Sequence, residues 1–237
     1  MVWLPGIAKQ YSLVWFHATL YGVGMSIPRP QTRTDRLSRD DWIDAAQAML
    51  VESGIDAVQI TVLARRLGVT RGSFYWHFDS RESLLAAITD RWRNQNTNVM
   101  LDAVAGVKTL DEGILSLFSV WTDHTRFDPD LDQAVRDWAR HDQTLWARVR
   151  AEDNSRISAV AEFFERFGYE KTEAFIRARV ICLTQMSYYA LRMEQDESMT
   201  QRLSYLEAYF RCFTGRDLLP DTADRYRGIL LREAAAE

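Results

Sequence analysis

The chain has 237 residues, of which 47% are hydrophobic and 26% are charged. This composition supports a folded core in one large or two modest domains, and it excludes collagen, coiled-coil rods and wholly disordered chains. The formal net charge of −4 by itself argues against a partner as acidic as nucleic acid.

The first 37 residues are predicted to form a poorly ordered extension. Their apolar stretch at 11–25 is too short to cross a bilayer, and it lacks the basic start and cleavage site of a secretory signal. No membrane association is expected, and Met25 is an alternative start of the protein. The two cysteines, Cys182 and Cys212, lack CxxC spacing, which favours a reducing cytoplasm over a disulfide or zinc framework.

From residue 37 onward the hydrophobic pattern has a helical period, so the chain is predicted to be all-α. Ser38 is a good N-cap for a first helix at 39–53. A second short helix is expected at 60–67 and a third at 71–77, the latter capped by Thr70.

A longer helix is predicted at 80–103, opened by Asp79 and Glu82 as an acidic capping box. Beyond it the apolar spacing predicts further helices at 110–125, 130–140, 143–167, 171–193 and 200–213. The tail after Pro220 is expected to form a short helix. The resulting domains are the extension at 1–37, a small helical domain at 38–93 and a larger domain at 94–237.

The second and third helices have the pattern of a helix-turn-helix motif. Ala64 is small where the two helices cross, and Gly68 permits a turn with positive φ. Phe74 and Phe78 define the inward face of the third helix. Gly72, Ser73 and Trp76 are then expected to point outward, with Tyr75 and His77 on the flanks.

The outward set suits a DNA groove, because residues 70–78 contain no carboxylate. Arg65 and Arg66 would add electrostatic attraction to phosphates. The alternative is that Tyr75 and Trp76 belong to an aromatic core. The predicted DNA-binding residues are Thr70, Arg71, Gly72, Ser73, Tyr75, Trp76, His77 and Arg81.

The stretch LARRLGVTRGSFYWHFDSRESLLAAI at 63–88 resembles the DNA-binding region of the tetracycline-repressor (TetR) family of bacterial regulators. The resemblance covers about residues 38–93. It implies an all-α homodimer with an N-terminal helix-turn-helix domain and a C-terminal domain that binds an inducer. It also implies that residues 70–77 and Arg81 meet operator DNA. Gln59 stands where many members have a Ser or Thr cap, so Thr61 is the alternative cap of the second helix.

The charge is divided unevenly between the two parts of the chain. Residues 1–93 carry 11 basic and 9 acidic side chains, whereas residues 94–237 carry 18 and 24. The acidic part is rich in aromatic residues, which at helical spacing form a core more often than a pocket. Side chains that combine apolar bulk with a polar group are the candidates for an effector pocket. These are Trp121, His124, Trp138, His141 and Tyr188.

A homodimer is expected through helices at about 171–193 and 200–213. The first is apolar on more than one face, and the second carries a stripe of large apolar side chains. The stripe comprises Leu203, Leu206, Tyr209, Phe210 and Phe213. Two such helices from each chain would form a four-helix interface, and the dimer would address a palindromic operator in double-stranded DNA.

No cofactor or metal is predicted. The acidic run at 128–132 lacks the Gly and Glu of a calcium loop, and Asp132 is interpreted as an acidic residue at a helix start. A metal site from Asp123, His124, His141 and Asp142 is the weaker alternative. An enzyme is disfavoured because no phosphate-binding loop or nucleophile motif is present, and a protein-binding adaptor is disfavoured by the carboxylate-free surface at 70–78. The sequence therefore predicts a regulator, more specifically a repressor, released by a small apolar or aromatic effector.

Overall fold

A computed structural model of the chain describes residues 37–233. Every regular element in that range is a helix, which confirms the all-α prediction. The expectations for residues 1–36, including the start at Met25, lie outside the described residues. None of the described helices combines the length and the hydropathy that a bilayer span requires.

The first helix, α1, spans Arg39–Ser53 as predicted. The Ser38 side chain accepts a hydrogen bond from the Asp41 backbone N–H, while the Asp41 carboxylate accepts one from the Ser38 N–H. This capping box fixes the start of the helix from two residues alone. A short 3₁₀ turn at Ile55–Ala57 follows.

Two short helices, α2 at Ile60–Arg66 and α3 at Arg71–Phe74, form the helix-turn-helix. Gly68 supplies the turn with a φ of 70°, and no atom within 4 Å would touch an added Cβ. The glycine is therefore required by backbone conformation and not by crowding. The Val69 N–H closes the turn by donating to the Ala64 carbonyl at 2.9 Å.

Thr70 occupies the N-cap position of α3 as predicted, but its side chain makes no capping hydrogen bond. Gln59 is the N-cap residue of α2, also without a side-chain bond, and the alternative cap Thr61 is wrong because this residue lies inside the helix. The third helix also ends at Phe74 and not at residue 77. The backbone tightens there, since the N–H groups of His77 and Phe78 both reach the Phe74 carbonyl, which returns Phe78 to the core.

A long helical rod connects the two parts of the molecule. It consists of α4 at Arg81–Trp92, a π-helical segment at Arg93–Asn98 and α5 at Val99–Val104. The predicted start from Asp79 and Glu82 is wrong, because Ser80 is the cap and pairs with Ser83 in the capping box. We refer to α1–α4 as the head and to the helices from α5 onward as the body.

The body contains seven further helices among the described residues. Their bounds differ from the sequence prediction mainly near residue 205, where one predicted helix is two. The helices are α6 Leu110–Thr122, α7 Pro129–Ala139, α8 Gln143–Arg166, α9 Lys171–Ala190, α10 Met199–Ser204, α11 Leu206–Thr214 and α12 Pro220–Glu233.

Two buried apolar clusters lie along the chain. The C-terminal cluster is built from α5, α6, α8, α9, α11 and α12. The N-terminal cluster is that of the head, and it also takes in side chains of α7 and the start of α8. These side chains are Leu131, Val135, Ala139, Leu145 and Val149. The head thus packs directly on the first part of the body, across the predicted boundary at 93 and 94.

The packing of α6 on α8 depends on a glycine. A Cβ built on Gly113 would lie 2.2 Å from Cε2 of Phe163, whose side chain is fully buried. Any larger residue would have to displace this ring, so Gly113 sets the close approach of the two helices.

The two helices predicted to dimerise behave differently. One side of α9 packs in the body through Ala174, Ala178, Ile181 and Cys182, and the other leaves large apolar side chains exposed. In the second predicted stripe, however, Leu203, Leu206, Phe210 and Phe213 are all buried within the chain itself. The expectation that this stripe exceeds what one chain can cover is wrong, because α11 packs on α9 and against Phe118.

Candidate nucleic-acid interface and internal cavity

The inner side of α3 is held by aromatic packing. Phe74 is fully buried, its ring meets Trp42 edge-on at 5.3 Å, and it stacks with Phe78 at 5.5 Å. Aromatic pairs in such arrangements stabilise a core beyond the area that they bury. The head therefore fixes the orientation of α3, and with it the side chains on the opposite surface.

The outer side of α3 presents the predicted DNA-binding residues. Trp76 is 86% exposed and Tyr75 is 49% exposed, so the alternative of a fully buried aromatic cluster is wrong for both. Thr70, Arg71 and Gly72 are also exposed, and His77 is half-buried. An indole this exposed gains nothing from folding, which makes it available for contact with a partner.

Ser73 departs from the predicted orientation. Its side chain is 93% buried beside that of Phe74, and the predicted outward position is therefore wrong. The reason is that α3 is a single turn whose C-terminal half packs inward. Contact of Ser73 with DNA stays a prediction that this burial does not support.

Arg71 and Tyr75 form a pair on the exposed surface. Nη2 of Arg71 donates to the Tyr75 hydroxyl at 3.1 Å, and the guanidinium carbon lies 5.9 Å from the ring centre. The Tyr75 ring also meets Phe74 edge-on at 5.3 Å. A cation is in this way held near the start of α3, as phosphate contacts require.

Two of the basic residues singled out in the sequence already have protein partners. Arg81 donates from Nε to the Val58 carbonyl at 2.5 Å and from Nη2 to the Ile55 carbonyl at 2.9 Å. Arg66 forms a two-pronged ion pair with Glu52 at 2.6 and 2.8 Å, and its hydrogen bond lowers the pKa of the Glu52 carboxyl. Arg81 therefore stabilises the 3₁₀ turn at Ile55–Ala57 that precedes α2.

The structure adds one cation that the sequence analysis did not include. The guanidinium carbon of Arg39 lies 4.7 Å from the centre of the Phe78 ring, which brings the exposed first residue of α1 to the end of the α3 turn. The position of Arg39 in the sequence does not indicate this contact, because Arg39 and Phe78 come together only in the tertiary structure.

A buried polar network joins the head to the body around Asp132 of α7. Trp92 of α4 donates from Nε1 to Oδ1 of Asp132 at 2.7 Å, and Arg156 of α8 donates to the same oxygen at 3.1 Å. Oδ2 accepts from Arg136 at 2.8 Å. Arg156 also donates to Thr97 in the π-helical segment at 3.0 Å. The network thus joins α4, the π-helical segment, α7 and α8.

The interpretation of Asp132 as merely an acidic residue at a helix start is wrong, because the side chain is 98% buried. Burial raises the pKa of its carboxyl, but the charges of Arg156 and Arg136 and the hydrogen bonds from Arg136 and Trp92 outweigh burial and lower the pKa to about 2. Asp132 is therefore ionised, and together with Asp153, which lies 2.7 Å from Arg136 and 3.8 Å from Arg156, it balances the charges of these two arginines.

A second set of contacts ties the head to the start of α7. Gln47 of α1 donates to Oδ2 of Asp128 at 2.7 Å, and Asn96 donates to the Asp128 carbonyl at 2.7 Å. Oδ1 of Asp128 caps α7 through the Leu131 N–H. The position of α7 is thereby linked to two elements of the head and rod at once.

The body contains an apolar cavity of about 80 Å³ between α6, α9, α10 and α11. Its wall is mostly aromatic and aliphatic, with a few polar side chains among them. The lining residues include Phe118, Trp121, Ile181, Gln185, Tyr188, Tyr189, Glu197, Arg202, Tyr205, Leu206 and Phe213.

The structure brings together some of the predicted effector residues and separates others. Trp121 and Tyr188 both line the cavity. His124 is not one of its lining residues, but its ring lies 6.2 Å from that of Tyr189, which is. Trp138 packs against the N-terminal cluster, and His141 lies beside Trp146 at a different surface. Arg202 and Gln185 also line the cavity but were not predicted. Nothing in their spacing along the sequence indicates that they lie close to α6.

Comparison with known proteins bears on the head. The sequence model of the family described as "Bacterial regulatory proteins, tetR family" matches residues 43–88. The class D tetracycline repressor protein of Escherichia coli is 42% identical over 53 residues, which are 22% of this chain. The match covers only 24% of that relative's length. The sequence likeness to the tetR family is thus confined to the N-terminal part of the chain.

Comparison with solved structures extends the likeness to the fold of the body. The ketosteroid transcriptional regulator KstR2 of Mycobacterium tuberculosis superposes with a TM-score of 0.54 at 19% identity, covering 75% of this chain and 93% of that one. The fatty acid degradation regulator FadR of Bacillus halodurans gives 0.54 at 15% identity, covering 81% and 94%. The helical body therefore has the fold of these regulators.

Proposed function

Because the sequence model of the tetR family matches its N-terminal helix-turn-helix domain, we propose that the chain is a ligand-responsive transcriptional regulator, acting as a repressor in the cytoplasm. The observation that carries the proposal is the surface of α3, where Trp76 is 86% exposed and no carboxylate occurs at 70–78. In this proposal Thr70, Arg71, Gly72, Tyr75, Trp76 and His77 meet double-stranded operator DNA.

The dimer expected of such a regulator is supported by α9. Ile176, Val180 and Leu183 are each almost half exposed and lie on one stripe of this helix. Cys212 of α11 borders the same surface together with Ile176 and Val180. We propose that α9 of two chains pack together here with the exposed side of α11, so that two α3 helices address a palindrome.

Release from DNA is proposed to follow effector binding in the cavity. The cavity is lined by α9, which packs along α8, and α8 carries Arg156 into the network around Asp132. Trp92 of α4 is hydrogen-bonded to Asp132, so a shift of the network would move the head. A ligand need only favour one arrangement of this junction by about 1–3 kcal/mol to change operator affinity 5–150-fold.

The test is a binding assay with the full chain and DNA fragments that flank its own gene. Fluorescence anisotropy over a range of salt concentrations is expected to give specific binding that weakens steeply as salt rises. Failure of every fragment to bind with sequence preference would overturn the proposal, and unchanged binding in the Tyr75→Phe variant would overturn the assignment of Tyr75. An enzyme or adaptor would give no sequence preference in this assay.

A further inference from the structure

Two hydrogen-bond donors in the wall of the cavity, the indole of Trp121 and the guanidinium of Arg202, are incompletely used. Nε1 of Trp121 is buried and has no hydrogen-bond partner among the described residues. A buried N–H without a partner costs about 1–3 kcal/mol. Because the Trp121 side chain forms part of the cavity wall, an acceptor on a bound molecule would remove this cost.

Arg202 is a second donor on the same wall. Its Nη2 reaches the Tyr189 hydroxyl at 3.4 Å and its guanidinium carbon lies 5.3 Å from the centre of the Tyr188 ring. Among the described residues, no carboxylate oxygen lies within 4.0 Å of its guanidinium nitrogens. The guanidinium is half-buried and keeps most of its donors for another partner.

Among the other polar side chains of the wall, those of Tyr188, Tyr189 and Glu197 are already engaged. The Tyr188 hydroxyl donates to Glu197 at 2.8 Å, and the Tyr189 hydroxyl donates to the Trp121 carbonyl. Glu197 is thereby held by a tyrosine and not by Arg202. The side chains of Thr184, Gln185, Tyr205 and Tyr209 also line the cavity without a hydrogen bond among the described residues, and each can both donate and accept. The unused groups that can only donate are the Trp121 N–H and the cationic Arg202, and the same wall contains the apolar side chains of Phe118, Leu206 and Phe213.

From this distribution we propose that the effector is an amphipathic carboxylate: a small apolar body whose anionic group is bound by Arg202 and whose oxygen accepts from Trp121. The inference rests on the proposed function and sharpens its effector class. Arginine binds carboxylates through two parallel hydrogen bonds, and such charge-assisted bonds are about twice as strong as neutral ones. The apolar body would occupy the aromatic wall.

The cavity is small, which implies that its wall moves when a ligand binds. About 80 Å³ is smaller than the roughly 300–1,000 Å³ of small-molecule sites, so the ligand must displace part of the wall. Tyr205 is 40% exposed and stands at the break between α10 and α11. Movement of these two short helices would enlarge the site and alter the packing on α9.

The experiment uses matched sets of probes and isothermal titration calorimetry on the full chain. Each set has one apolar body and differs in its polar group: benzoate, benzamide and benzylamine, then 2-naphthoate, 2-naphthamide and 2-naphthylmethylamine. The amides keep the acceptor for Trp121 but lack the charge for Arg202. We expect at least one carboxylate to bind about tenfold or more tightly than its amide.

Three variants assign the contacts. In Arg202→Gln the advantage of the carboxylate over the amide should fall to about one, whereas Arg202→Lys should retain it. Trp121→Phe should weaken the carboxylate and the amide alike. Arg225→Gln, an exposed arginine of α12 outside the cavity wall, is the matched control and should bind as the unmodified chain does. Thermal melts verify that each variant is folded.

The proposal is overturned if neither carboxylate binds at millimolar concentration, if an amine binds best, or if Arg202→Gln leaves the carboxylate advantage intact. Operator binding is measured on the same samples by anisotropy. Carboxylate binding without any DNA binding would refute the proposed function and leave this site standing. DNA binding by a chain that binds no carboxylate would refute this site and leave the proposed DNA-binding function standing.

Discussion

The indole N–H of Trp92 donates to Oδ1 of Asp132 at 2.7 Å, from the last residue of α4 to the first turn of α7. The same carboxylate pairs with Arg136 and Arg156, which Asp153 also contacts. One buried side chain therefore joins the head to the two helices of the body that pack on it.

Replacing Asp132 by Asn should destabilise the protein strongly. The change leaves the buried Arg156 with Asp153, at 3.8 Å, as its remaining acidic neighbour among the described residues, and breaking a buried ion pair costs about 3–5 kcal/mol. Urea unfolding measures this loss. Asp137→Asn, on the same helix, removes an ion pair to Arg140 whose side chains are more than 70% exposed, and it should cost less than about 1 kcal/mol. Equal losses would contradict the role of the buried network.

The same carboxylate predicts a window of acid sensitivity. Its pKa is about 2 in the folded protein, below the ordinary value of 3.8. Its contribution to stability is therefore complete above about pH 5 and is lost as the pH falls through 4 towards 2. Unfolding free energies measured from pH 5 to 2.5 should decline less steeply in Asp132→Asn than in the unmodified chain. Parallel curves would be inconsistent with this assignment.

Substitutions on the surface of α3 should affect DNA and not folding. Trp76→Ala removes an 86% exposed side chain, so the melting temperature should stay the same while operator affinity falls several-fold. Arg71→Ala should lower affinity and reduce the slope of log affinity against log salt by about one. Arg140→Ala, an exposed arginine of the body, serves as the control and should leave that slope unchanged.

Arg81 should act on stability more than on DNA. Lysine keeps the positive charge but cannot donate simultaneously to the Ile55 and Val58 carbonyls as the guanidinium does. Arg81→Lys should cost about 1–3 kcal/mol in thermal or urea unfolding, with operator affinity largely retained by the folded fraction. The exposed Arg65→Lys change is the comparison. Loss of DNA binding without loss of stability would instead assign Arg81 to the phosphates.

A charge on α9 should separate the proposed dimer. Val180→Arg places a guanidinium in the centre of the exposed apolar stripe, where a partner chain would have to desolvate it. Light scattering should show the mass fall from twice 27.5 kDa to that of one chain. Leu219→Arg alters a more exposed leucine outside α9 and should leave the mass unchanged. A dimer that survives Val180→Arg would place the interface elsewhere.

The head was predictable from sequence because its signals are local. Ser38 and Asp41 are three residues apart and make a capping box, and Gly68 provides the turn by its own backbone freedom. Errors appeared where local patterns compete. Ser80 rather than Asp79 caps α4. The outward position predicted for Ser73 is wrong because a helical wheel is not reliable for a helix of a single turn.

The body was less predictable because its sites are assembled from distant segments. Tyr189 and Trp121 meet across 68 residues, and Arg202 joins them from another helix. Periodicity identifies a buried stripe but not what covers it, so the residues of α11 were assigned to a dimer although α9 and Phe118 already cover them. For the same reason a polar residue such as Asp132 gave no sign of its burial.

The π-helical segment at Arg93–Asn98 has a consequence for changes in chain length. A wider turn of this kind accommodates one residue more than a regular helix between the same two faces. Elsewhere in the rod, losing one residue would rotate the head against the body by about 100°. Within this segment the loss of the exposed Asn94 would only restore regular α-helix, so the rod can become shorter here without changing the direction in which α3 faces.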